Sequence, residues 1–132
     1  MWYGASVLSF AQLNLFEKHF QFTFDPALHT FLLEHNGGSV SPGVFPTAVR
    51  ERRLVKLLDF SSQEDKKGAW QINAKHRNLI TEKRIIIGTD DKGNYVCVEQ
   101  DYRHQMIVVW NHLTDSFEPC LWEIPAFLKY IG

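Results

Sequence analysis

Ile85-Ile86-Ile87 is the segment that most restricts what this chain can become. Three β-branched residues in a row favour a buried strand over a helix, because branching at Cβ narrows χ1 on a helical backbone. Thr89-Asp90-Asp91-Lys92-Gly93-Asn94 follows with the residues a tight reversal needs, Gly93 being free to take positive φ. Residues 95–99 return with alternation, so that Val96 and Val98 face away from Tyr95 and Cys97, and residues 106–110 add another apolar run. The reading is three consecutive antiparallel strands over 84–88, 95–99 and 106–110.

Two helices precede this meander. Ser9 with Gln12 fits a capping box, in which each side chain satisfies an otherwise unpaired backbone N–H of the first turn. Phe10, Leu13, Phe16 and Phe20 then fall near one face, and Lys18 and His19 sit where the helix dipole is negative. The second helix starts at Asp25-Pro26, with the carboxylate as cap and the proline in the first turn. It stops at Gly37, which accepts the left-handed conformation. Leu28, Phe31, Leu32 and His35 share its inner face at i, i+3, i+4 and i+7.

Residues 39–46, with Gly43 between Pro42 and Pro46, read as an irregular crossing loop, and residues 50–60 fit either a strand or a short helix. Residues 61–68 are a polar loop, and Ile72, His76, Leu79 and Ile80 suggest a helix before the sheet. Ile124, Phe127, Leu128 and Ile131, with Pro125 at the start, make a closing helix. The order gives an α+β fold: one domain over residues 1–132, a mainly antiparallel β-sheet packed by N-terminal helices and a C-terminal helix.

At 45% apolar side chains the chain carries enough hydrophobic surface for a real core, which excludes a disordered tail or a collagenous repeat. Fourteen basic against fifteen acidic side chains leave a formal charge of −1. No global field therefore draws the chain to nucleic acid or anionic lipid. No run approaches the ~18 apolar residues of a membrane span, and the start, Met1-Trp2-Tyr3-Gly4-Ala5, lacks the basic region of a secretory signal. The expectation is a cytoplasmic protein, with no membrane and no nucleic acid among its partners. Its thiols, Cys97 and Cys120, are too few for a disulfide framework and are expected to be free.

Motifs that would carry chemistry are missing. Six histidines are present, but the closest pair, His29 and His35, lies farther apart than ligands on adjacent helix turns, so neither a metal nor a cofactor is expected. Cys97 sits between Val96 and Val98, where an inert buried thiol belongs, and nothing places His104 or His112 beside it. The Asp90-Asp91 turn differs from a calcium loop, since Lys92 interrupts the acidic ladder and strands flank it instead of helices. Gly37-Gly38 follows a helix and so offers carbonyls, not the N–H groups of a phosphate loop. Arg50-Glu51-Arg52-Arg53 with Lys56 reads as a solvated or partner-facing edge strand. Among four tryptophans, Trp110 and Trp122 are expected to pack the sheet against the closing helix, leaving Trp2 and Trp70 as interface candidates.

Four segments, in this order, resemble the SUKH superfamily, which includes bacterial immunity proteins and fungal cell-wall-synthesis regulators. Phe31-Leu32-Leu33-Glu34-His35-Asn36-Gly37-Gly38 is similar to that family's helix ending in an Asn-Gly-Gly turn. Ile85-Ile86-Ile87-Gly88 through Tyr95 is similar to its strand, acidic Gly-Asn hairpin and next strand. Val108-Val109-Trp110-Asn111-His112 and Ile124-Pro125-Ala126-Phe127-Leu128 are similar to its later strand and closing helix. Phe24-Asp25-Pro26 departs from the usual Leu-Pro before the second helix, and the closing helix lacks the common Ser cap.

The resemblance implies binding without catalysis, and no catalytic residue carries over. Its expected form is an immunity protein that neutralises a cognate protein toxin domain, nucleases being one type. One alternative is an intracellular adaptor or regulatory module without a toxin partner; a second is an enzyme or small-molecule binder using a pocket around Cys97, His104 and His112. Residue type and expected exposure single out Arg52, Arg53, Trp70, Asp90 and Asp91 as partner-binding candidates.

Overall fold

The computed structural model describes residues 1–132. The strands are β1 (Trp2–Tyr3), β2 (Ser39–Val40), β3 (Val44–Pro46), β4 (Glu51–Leu57), β5 (Arg84–Asp90), β6 (Tyr95–Asp101), β7 (His104–Asn111) and β8 (Ser116–Pro119). The helices are α1 (Phe10–Phe20), α2 (Pro26–His35), α3 (Ala69–Lys75), α4 (Arg77–Thr81) and α5 (Ile124–Tyr130). The fold is α+β, and no helix is long and apolar enough to cross a membrane.

Local hydrogen bonds set the N-terminal helices as the sequence predicts. Gln12 N–H donates to Ser9 Oγ at 3.1 Å and Ser9 N–H to Gln12 Oε1 at 2.9 Å, closing the capping box of α1. Asp25 Oδ1 accepts from Ala27 N–H at 3.0 Å and caps α2. Leu13, Phe16 and Phe20 turn inward, whereas Phe10 is exposed and leans on the His29 ring.

The strands form one antiparallel sheet in the order β1-β2-β4-β5-β6-β7-β8, with β3 paired to β4 beside this path. Residues 39–46 are therefore not irregular throughout. Both β2 and β3 run along one side of β4, at Lys56 and at Arg53–Glu51 respectively. Gly43 marks the break between them: its φ is +68°, and a Cβ there would stand 2.1 Å from the Leu54 carbonyl oxygen. The other side of β4 pairs with β5, so the basic run lies on an interior strand and not on an edge.

A long-range tie bends the sheet round. Ala48 N–H donates to Pro119 O and Leu121 N–H to Pro46 O, both at 3.0 Å, flanking the Thr47–Cys120 bridge. The ends of β3 and β8 thus meet, and the strands from β3 through β8 come close to closing on themselves.

Register assigns the two faces. Val98 and Ile107 pair on one of them, where Gln105 reaches the α1–α2 connection through Thr23 O at 2.7 Å and Asp25 N–H at 2.8 Å. Cys97 and Val108 pair on the other, in line with Tyr95 and Trp110. The aromatic neighbours of Trp110 are Tyr95, His76, His112 and Phe117, none of them from α5, whereas the Trp122 ring lies 5.8 Å from Tyr130 of α5. The packing expected of both tryptophans is thus met by Trp122 alone among these ring contacts. Asn73 of α3 binds both the N–H and the carbonyl of Ile86, at 2.8 and 2.9 Å, which satisfies β5 beyond the reach of β4. A continuous core of 31 buried residues joins helices and sheet.

Candidate protein-interaction groove

Where the β3–β4 end, the β5–β6 turn and the β7–β8 hairpin converge, they enclose a groove of about 610 Å³ with a strongly polar lining. Its floor is an ion pair. Arg52 Nε donates to Glu118 Oε1 at 2.9 Å and Arg52 Nη2 to Glu118 Oε2 at 2.5 Å, a two-pronged contact that fixes both planes. These side chains are only 10% and 11% exposed. Thr47 Oγ1 lies 3.0 Å from Glu118 Oε1, adding a hydroxyl to the carboxylate's partners. The hydrogen bond from Arg52 holds the Glu118 carboxyl below its ordinary range, outweighing the opposing effect of burial. The guanidinium is pushed up in return, first by the same bond.

The rim is built differently. Arg50, Arg53 and Lys92 all line the groove, yet none stands within ion-pair distance of a carboxylate. Glu51 and Asp91 share this rim, are exposed and are likewise unpaired. Asn111 spends its Oδ1 on the backbone N–H groups of Leu113 and Thr114 at 3.1 and 3.3 Å, which leaves its amide N–H groups free.

The structure separates the five residues singled out by type. Arg52, Arg53 and Asp91 meet in the groove, the first as floor and the others as rim. Asp90 is not the exposed carboxylate expected from sequence. It is 6% exposed, because Oδ1 accepts from Lys92 N–H at 2.9 Å and Asn94 N–H at 2.7 Å, and Oδ2 accepts from Asn94 Nδ2 at 2.8 Å. Asp90 holds the hairpin that presents Asp91 and Lys92. The expected exposure of Trp70 is also corrected. Its indole is buried among Phe16, Phe20 and His19, and its Nε1 donates to Phe60 O at 3.1 Å. Trp2 is half-buried, stacked on His35 at 4.3 Å.

Sequence reasoning missed Glu118, Asn94 and Asn111. Glu118 stands 66 residues from Arg52 in the chain, and only the fold brings them together. The signal for Asn94 was present: Asp90 four residues before an Asn across a Gly turn is an Asx arrangement.

The thiol–imidazole alternative fails on geometry. Cys97 is fully buried opposite Val108 in mid-sheet, and burial pushes its thiol well up, away from the thiolate a nucleophile needs. His104 begins β7 and His112 lies just past its end, each four residues along the chain from Val108, the partner of Cys97. No three His, Cys, Asp or Glu side chains converge as metal ligands would.

Comparison with known proteins agrees with the four resembling segments. The SMI1 / KNR4 family (SUKH-1) matches residues 8–130, and the chain belongs to that family. No curated protein and no solved structure matches it significantly.

Proposed function

We propose that residues 1–132 act as one non-enzymatic interaction domain, an immunity protein that binds and neutralises a cognate bacterial toxin domain through the groove between β4 and β8. The observation that carries this reading is the division of labour inside the groove: a floor locked by Arg52 and Glu118, and a rim of ionic side chains without partners. Unpaired charges on a rigid frame steer encounter and discriminate among partners, at little ordering cost on binding. Membership of an interaction family supports the same reading.

Co-expression with the C-terminal domain encoded beside the gene tests it. A stoichiometric complex should survive gel filtration and rescue growth, and Arg53→Glu should weaken binding roughly tenfold or more, about 1.4 kcal/mol. If no complex forms, the immunity reading gives way to the adaptor reading, and a lysate pull-down must then name the partner.

A further inference from the structure

The groove's surplus of donors identifies what it receives. Arg50, Arg53 and Lys92 present three cations whose side chains make no hydrogen bond or ion pair within the chain. The free amide of Asn111 adds a neutral donor to theirs. Against these stand two unpaired carboxylates, Glu51 and Asp91, since Glu118 is already consumed by Arg52 and Asp90 lies buried in its turn. A basic occupant would face more unpaired cations than unpaired carboxylates. An apolar one would find a single hydrophobic lining residue, Val44. The volume of about 610 Å³ suits an inserted segment better than a flat contact.

We infer that this groove binds an acidic segment of the partner protein, whose carboxylates are taken by Arg50, Arg53 and Lys92 while Asn111 donates to its backbone. The inference rests on the interaction reading above and specifies the chemistry of the partner. Guanidinium groups suit carboxylates because the planar fork matches both oxygens. Nucleic acid fits less well, because no aromatic ring lines the groove for base stacking.

The test is a titration of the full chain, followed by amide and side-chain NMR shifts, with three probes: hexaglutamate, hexalysine and a six-nucleotide oligothymidylate. Hexaglutamate should shift the signals of Arg50, Arg53, Lys92 and the Asn111 amide. Its affinity should fall at least tenfold in the doubly reversed Arg50→Glu/Arg53→Glu variant, whose remaining spectrum shows that it stays folded. Shifts outside the groove, or equal binding of hexalysine, overturn the inference, and tighter binding of oligothymidylate replaces it with a phosphate site. Failure here is distinct from failure of the functional reading. A complex with the toxin domain that is indifferent to the double reversal defeats this inference alone. Groove binding of hexaglutamate without any toxin complex defeats the immunity reading alone.

Discussion

Arg52→Ala should destabilise the fold far more than a surface charge deletion, because Arg52 holds the groove together from below. The guanidinium gives Glu118 two hydrogen bonds, at 2.9 and 2.5 Å, and both side chains are about nine-tenths buried. Two unit charges ~4 Å apart attract by about 4 kcal/mol at an effective dielectric of 20. Removing one partner forfeits that attraction and leaves a carboxylate with the Thr47 hydroxyl as its remaining side-chain partner. Breaking a buried pair from one side typically costs about 3–5 kcal/mol, a large share of the ~5–15 kcal/mol that holds a domain together.

Urea unfolding followed by tryptophan fluorescence reads this directly, with Arg53→Ala as the exposed control, expected within about 0.5 kcal/mol of wild type. The paired replacement Arg52→Leu/Glu118→Leu should recover most of the loss, since it leaves no buried charge unmatched. A loss under about 1 kcal/mol in Arg52→Ala would show that the pair behaves as a solvated surface bridge and refute the assignment of a fixed floor. The outcome also governs how binding data are read: weak binding by Arg52→Ala reports a slack groove as much as a lost contact.

Three further expectations concern the same frame. Because Glu118 titrates below its ordinary range in the folded chain, its contribution is fully present above the unfolded carboxylate pKa. It is lost as pH falls through the folded value, so the stability gap between wild type and Glu118→Gln should narrow in acid unfolding series. Asn36→Ala should cost about 2–4 kcal/mol by urea unfolding: Asn36 Oδ1 accepts from the buried Phe60 N–H at 2.8 Å, and Nδ2 donates to Asp59 at 2.9 Å and Ser6 at 3.0 Å. Cys97 should resist iodoacetamide in the native state and alkylate only on unfolding, as mass spectrometry of the digested chain would show.

What the sequence disclosed depended on how far apart the interacting residues lie. The caps of α1 and α2 are contacts over two or three residues, and the β5–β6 turn closes over four, so composition at fixed offsets specifies them. The short strands β1, β2, β3 and β8 carry no periodicity of their own, and the pairings of β1 and β2 come from distant backbone, as when Trp2 meets Val40. Trp70 shows the same limit. Beside a polar loop it resembles an exposed anchor, but helix α3 turns it inward with Asn73, three residues on, toward Phe16 and Ile86. Residue type identified Arg52, Arg53 and Asp91; which of them is structural and which is free could be read only from Glu118.

That distinction explains how one frame can offer a selective surface. The groove is built where separate parts of the sheet end together, and each part is stabilised away from the rim: Asp90 inside its turn, Thr47 and Glu118 on the floor, Asn111 by its own hairpin backbone. Arg50, Arg53, Asp91 and Lys92 make no side-chain ion pair, so exchanging them alters the field over the groove without opening a cavity or stranding a buried charge. Reversing Asp91 to Lys should therefore change stability by less than about 0.5 kcal/mol, while Arg52 cannot be exchanged so freely. On the proposed function, partner choice and folding draw on different side chains within the same few residues of β4. A binding scan that separates Arg53 from Arg52 tests this directly: Arg53→Glu should weaken partner binding roughly tenfold or more in a chain that unfolds at the wild-type urea midpoint, and an equal fall in that midpoint for both arginines would show that recognition and folding are not separable here.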